Sequence, residues 1–305
     1  MFIKFTRVLF ICLLASVAAA ALNAQQIADP HFNAKVDNPA FTRNYPRVLF
    51  DEAHNNSHST SGRYKPFADL LFNDGYHLVV NRQQFTKEML KSFKILVIVN
   101  PLGAEDVDDE GAETPAFTKE ECDVVTDWIR GGGALLFIAD QPPFSSAAAI
   151  LAKRLEIEMG QGFTTDPAMA AKEPNSPGVI LYSRENHLLA DHAITNGHND
   201  AERVNRVVTF TGQSLKGPAG SEAFLKLADA AVDNVAAEKS TSAAGRAQGI
   251  AHRVGKGRVV VLGDAAMLSA QLTGSDNRPF GMNIPDIDNR QLALNIMHWL
   301  SGLIK

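Results

Sequence analysis

The sequence predicts an α/β fold with a mainly parallel sheet, helices on both of its faces and an irregular β-rich insertion. Three observations predict it. Short, wholly apolar runs recur along the chain, among them RVLF at Arg47–Phe50, ILVIV at Ile95–Val99, Ala134–Ala139 and RVVVL at Arg258–Leu262. Amphipathic stretches with helix start and stop signals separate the first three of these runs and close the chain. Strands apolar on both faces need cover on both sides, and parallel neighbours need a crossover between them, which is where the helices go.

The elements follow in order. Arg47–Phe50 runs into the polar string DEAHNNSHSTSG and then a helix that places Phe67, Leu70 and Leu71 on one face. Gly75 suits its C-terminal cap. His77–Val80 is a second strand, and Thr86 caps a short helix bearing Met89, Leu90 and Phe93 before the buried strand Ile95–Val99. Thr118 and Glu121 form a capping box on a helix whose stripe is Cys122, Val125 and Ile129, and Gly131–Gly133 ends it ahead of Ala134–Ala139. From Gly178 to Asp233 the periodicity becomes irregular, with short β-like pieces such as Arg206–Thr211. Gly249–Val254 and Arg258–Leu262 flank a Gly255-Lys256-Gly257 turn and read as a hairpin. Asp288, with Gln291 completing a second capping box, opens a final helix carrying Leu292, Ile296, Trp299, Leu300 and Leu303.

Lys4 and Arg7, the apolar run Val8–Val17, the small residues Ala18–Ala21 and a cleavage point after Ala24 read as a signal peptide, which predicts a bacterial protein exported to the periplasm or secreted. No later stretch approaches the roughly 20 apolar residues of a membrane span. Residues 1–24 are thus a leader, 25–46 an N-terminal extension, and 47–305 a single α/β domain with its insertion around 160–235. Cys12 sits behind bulky Ile11 and is not a lipidation site; Cys122 alone survives processing, so a buried core and not a disulfide supplies stability. Losing Lys4 and Arg7 with the leader takes the formal charge from −5 to −7, which argues against a nucleic-acid partner.

In open α/β sheets ligands bind beyond the carboxyl ends of the strands. Here those ends are Asp51-Glu52-Ala53-His54-Asn55-Asn56, Asn100-Pro101, Asp140-Gln141-Pro142-Pro143-Phe144 and Gly263-Asp264. Asp51, His54, Asn55, Asp140, Gln141 and Asp264 are the candidate ligand-binding residues. Glu52, His54 and Asp140 are the candidates for proton transfer, and Asp51, Asp140 and Asp264 suit a divalent metal through oxygen ligands. The competing reading is that these groups cap helices and satisfy loop backbone. His58 reads as a solvated loop residue. Arg184-Glu185-Asn186-His187 with Asp191-His192 is a candidate lid over the cluster, with a surface turn of local ion pairs as the alternative. Cys122 belongs to a buried stripe, Ser214 lacks the second glycine of a nucleophile elbow, and Phe117 stands where an acidic calcium loop beginning at Asp106 needs its closing glutamate. There is neither a P-loop nor a GxGxxG turn, so no nucleotide cofactor is expected.

VLFDEAHNN early, GGGALLFIADQPPF in the middle and GKGRVVVLGDAAMLS late, with RVVTFTGQSL, SAAGRAQG and FGMN followed by DNRQLALNIMHWLS, resemble the class I glutamine amidotransferase-like superfamily. The likeness is closest to an exported bacterial branch carried as a domain of unknown function. It implies a flavodoxin-like or amidotransferase-like sheet. It also shows a departure, since Asp140-Gln141 stands where the superfamily's cysteine would be and Asp264-Ala265-Ala266 replaces its His-x-Glu, leaving the Cys-His-Glu triad absent. The resemblance therefore implies a module that does not transfer amide nitrogen. The leading expectation is a binding module for a small polar ligand such as a sugar. The alternatives are a metal-assisted hydrolase using the Asp/His cluster and a structural partner of an envelope protein.

Overall fold

The computed structural model describes residues 26–172, 177–236 and 239–305. The leader read at 1–24 lies outside them, and among the described residues no helix is long and apolar enough to cross a membrane.

One nine-stranded sheet organises the chain. Its strands are β1 (Arg47–Asp51), β2 (His77–Asn81), β3 (Ile95–Val99), β4 (Ala134–Ile138), β5 (Glu158–Met159), β6 (Leu215–Lys216), β7 (Glu222–Lys226), β8 (Ala247–Val254) and β9 (Gly257–Leu262). The order is β2-β1-β3-β4-β9-β8-β6-β5, with β7 also paired to β8. From β2 to β9 all neighbours are parallel, whereas β8, β7, β6 and β5 join antiparallel. The sheet is therefore mixed, which corrects the expectation of a mainly parallel one. The cause lies in the Gly255-Lys256 turn: a tight hairpin can only deliver an antiparallel neighbour, and the insertion strands then add onto β8.

Strand alternation sorts side chains onto two faces. Val48, Phe50, Val97, Val99, Leu136, Ile138, Val260 and Leu262 pack with Tyr64, with Phe67, Leu70 and Leu71 of α1 (Lys65–Asn73), and with Leu292, Ile296 and Trp299 of the C-terminal helix Asn289–Ser301. Leu49, Leu96, Ile98, Leu135, Phe137, Val259 and Val261 pack against α2 (Lys87–Leu90), α3 (Lys119–Arg130) and α4 (Phe144–Arg154). Cys122 is buried in that second layer, and burial pushes its thiol up to about 11.

Thr86 accepts the Met89 amide, the Thr118–Glu121 box is formed in both directions, and Gly75 takes the positive φ of 89° that follows α1. The last helix differs from expectation. The Asp288 carboxylate accepts the amides of Asn205 and Arg206 at 2.7 and 3.0 Å, and Gln291 donates to Asn295 at 2.9 Å, so neither side chain caps the helix. Docking of the incoming strand Arg206–Phe210 claims Asp288 instead. That strand pairs antiparallel with Val179–Ser183, and Phe163–Thr165, Val232–Ala236 and Lys239–Ser242 make a small separate sheet. At the other end of the chain, Ile27–Ala28 pairs with Ala270–Thr273, tying the N-terminal segment to the body.

Candidate functional site

The six candidate binding residues do not converge on one site. Asp51 lies two residues beyond Leu49 and shares the face covered by α2 and α3. Asp140 and Asp264 lie two beyond Ile138 and Leu262, on the face covered by α1 and the C-terminal helix. Two polar clusters result, on opposite sides of the sheet.

The first is closed. His54 is 6 % exposed, with Nδ1 at 2.8 Å from Asp51 Oδ2 and Nε2 at 2.9 Å from Glu121 Oε1. Asn81 donates to Asp51 Oδ1 at 3.0 Å, and the Phe85 amide donates to Glu121 Oε1 at 2.9 Å. Thr118 donates to Glu121 Oε2 through its amide and hydroxyl, so one carboxylate caps α3 and pairs with an imidazole at once. Phe85 and Phe117 rings lie 4.7 Å from the His54 ring. Burial disfavours the imidazolium, but the hydrogen bonds and charges of Asp51 and Glu121 outweigh it and His54 is raised above its ordinary value. Burial acts against the Glu121 carboxylate too; the Thr118 and His54 hydrogen bonds overcome it and hold the group below its usual range. With a carboxylate oxygen within hydrogen-bond distance of each ring nitrogen, the geometry suits a ring that donates on both sides, and no ring nitrogen is free to face a substrate.

The second cluster is more open. Asp140 is partly buried; Oδ2 accepts Asn100 Nδ2 at 2.7 Å, Oδ1 accepts the Ala265 amide at 2.6 Å, and its own amide donates to Asn100 Oδ1 at 2.9 Å. Asp264 is fully buried, accepting the amides of Phe210 and Met267. Burial, followed by the Asp140 charge, raises Asp264 well above the carboxylate range; burial also raises Asp140 against the pull of Asn100 and Ala265. The two carboxylates therefore behave as a pair with raised proton affinity. Tyr64 donates to the Ala265 carbonyl at 2.7 Å from beneath. Gln213 donates to the carbonyls of Ala139 and Asp140 at 2.7 and 3.0 Å. Around this turn three oxygens, Gln141 Oε1, Ser145 Oγ and Gln213 Oε1, are buried without a hydrogen-bond partner. Ser145 also lines a cavity of about 660 Å³ along α4, with Ser146, Lys153, Glu156 and Gln161 on its wall.

The remaining candidates fall elsewhere. Glu52 accepts the Thr60 amide and hydroxyl at 2.7 Å each and is committed to its own loop. Asn55 is exposed with a positive φ of 48°. His58 is not solvated: it is 5 % exposed, stands edge-on to Tyr64 at 5.1 Å, and is held down to about 3 by burial and by Arg63. Its Nδ1 lies 2.8 Å from Ser57 Oγ. Arg184 bonds Asp191 Oδ1 and Asn196 within its own loop. The pairings Ser183–Arg206 and Val179–Phe210 put that loop at the far end of the two-stranded ribbon from Asp264, roughly 13 Å away along the strand, so it does not lid Asp264. Ser214 is buried and donates to Asp233 at 2.6 Å, a structural bond. Among the described residues no group of three or more His, Cys, Asp and Glu side chains is placed to hold a metal ion. Sequence reasoning passed over Tyr64 and Gln213, saw Glu121 only as a cap, and gave Asn100 no role. Each had a signal of a kind: Asn100 ends an apolar strand and Gln213 sits two residues beyond another.

No protein-family model matches the chain, and no curated protein does. Solved structures do. The chain is similar to a structure described as mmIFT52 N-terminal domain, with TM-score 0.59 and 15 % identity over 83 % of this chain and 97 % of that one. It is also similar to a GMP synthase-type protein from Thermoplasma acidophilum, at TM-score 0.43 and 10 % identity over 85 % of this chain and 96 % of that one. A ThuA-like protein from Bacteroides uniformis gives TM-score 0.43 and 13 % identity over 89 % and 95 % of the two chains. At such identities a likeness concerns fold alone, and the two below 0.5 add nothing to it. The first match shows a shared α/β fold, and no match identifies a family or a branch of one.

Proposed function

We propose that the chain is an exported binding module of the amidotransferase-like kind, and that it takes a small polyhydroxylated ligand, a sugar or related polyol, at the Asp140–Gln141 turn. One observation carries this reading: three buried oxygens without partners, those of Gln141, Ser145 and Gln213, gather around the turn of the partly buried Asp140, and one of the three residues, Ser145, also lines a cavity of about 660 Å³. Buried acceptors left unpaired cost stability, and hydroxyl donors from a ligand would satisfy them. Sugars present such donors at close spacing. The Asp51 cluster contributes nothing to recognition in this reading, because its groups already satisfy one another.

The hydrolase reading retains one supporting feature, the shared proton affinity of Asp140 and Asp264, which suits acid catalysis. Against it, Asp264 is enclosed by backbone amides and has no exposed oxygen to offer a substrate.

Thermal melting with a panel of mono- and disaccharides, with divalent metals and with a chelator separates the two. The binding reading predicts a rise of a few degrees with at least one sugar at saturating concentration, absent in Gln141→Ala. A melt moved by divalent metals and reversed by chelator, with no sugar effect, would overturn it.

A further inference from the structure

The His54 cluster is a rivet through the loop that follows β1. On one side of the ring stands Asp51 of β1; on the other stands Glu121 of α3. From β2 comes the neutral amide of Asn81, and the flanking rings of Phe85 and Phe117 carry no charge, so Asp51 and Glu121 are the titratable groups that face the imidazole. The backbone around His54 is stitched to the end of β3: the Leu102 amide donates to the His54 carbonyl at 3.0 Å, Asn56 Nδ2 to the Val99 carbonyl at 3.1 Å, and the Ser57 amide to the Asn100 carbonyl at 3.0 Å. All three bonds are made by the residue that carries the ring or by residues within three positions of it. With a proton on each nitrogen, the ring donates to both carboxylates. With one proton gone to solvent, a nitrogen lone pair faces a buried carboxylate, which is a repulsive contact, and the side-chain donors among the neighbours just named are already committed, Asn81 Nδ2 to Asp51 and the Gln83 carbonyl and Asn56 Nδ2 to the Val99 carbonyl.

We propose that His54 is a proton-operated clasp, which when doubly protonated locks the loop of residues 52–60 onto α3 and the end of β3, and when singly protonated releases it. The device is independent of what the Asp140 turn binds. The raised proton affinity of the ring agrees with it in sign: a group raised in the folded state stabilises that state below its ordinary value, and the stabilisation is lost as pH climbs through the raised one.

Amide hydrogen exchange, corrected for the intrinsic pH dependence of exchange and read between pH 6 and pH 9, tests this on the whole chain. The expected result is that protection of amides in 52–60 and at Leu102 falls by up to about tenfold for each unit by which ring proton affinity differs between locked and released loop. Amides of Ile95–Val99 serve as reference and keep their protection. In His54→Gln, whose side chain never carries the charge, loop protection is low and flat with pH; in Glu121→Gln, which keeps a hydrogen-bonding group but lacks the anion, the fall moves to lower pH. A flat profile in the unsubstituted protein overturns the proposal. So does an unchanged pH dependence in His54→Gln. Should both variants fail to fold, the unsubstituted profile alone decides.

Discussion

Two polar clusters lie at the carboxyl ends of one sheet, and they have opposite characters. Around Asp51, His54 and Glu121 every ionised oxygen and both ring nitrogens have partners, two aromatic rings exclude water, and nothing remains to recognise a ligand. Around Asp140 and Asp264 the carboxylates share a raised proton affinity, and three nearby oxygens stay unpaired. A cluster of catalytic-looking residue types is thus not a site until its mutual satisfaction has been checked. A closed network fixes architecture; an incomplete one leaves something to bind.

Substitutions that break each cluster should differ in size and in what they affect. His54→Ala strands two buried carboxylates opposite an empty space and is expected to cost about 3–5 kcal/mol in urea unfolding at pH 6. Asp264→Ala leaves the Phe210 and Met267 amides unpaired and should cost roughly 2–4 kcal/mol by the same measurement. Thr118→Ala removes one side of the capping box and should cost about 1 kcal/mol. The pH profile separates the clusters further. Because Asp140 and Asp264 are raised, their contribution is present below the ordinary carboxylate range and is lost as pH rises through the raised values. The stability difference between the unsubstituted chain and Asp140→Asn should therefore move in favour of Asp140→Asn as pH goes from 4 to 8. Smallest of all, Gln141→Ala should alter stability by no more than about 0.5 kcal/mol while removing the response to sugar.

Much of the architecture was legible. Gly75, Thr86, Thr118 with Glu121, and the Gly255-Lys256 turn announced their elements through local chemistry, and the structure has all of them. The mixed character of the sheet was implicit in that same hairpin, yet the order in which insertion strands add to β8 depends on long-range pairing that no local pattern encodes. Asp288 misled because a helix N-cap and a strand amide compete for the same carboxylate, and tertiary docking won. The split of the strand-end cluster was illegible for a different reason. Strands such as ILVIV and ALLFI are apolar on both faces, so alternation carries no inside-outside signal, and the face taken by Asp51 or Asp140 cannot be read from them. Glu121 shows the same limit: its spacing from Thr118 marks a cap, while its second partner lies 67 residues away.

If the two clusters are energetically separate, a double-mutant cycle of Glu121→Gln and Asp140→Asn, followed by urea unfolding at pH 6, will show it. Separate clusters predict that the two costs add to within about 0.5 kcal/mol. An interaction energy above about 1 kcal/mol would contradict the separation and restore a single strand-end site.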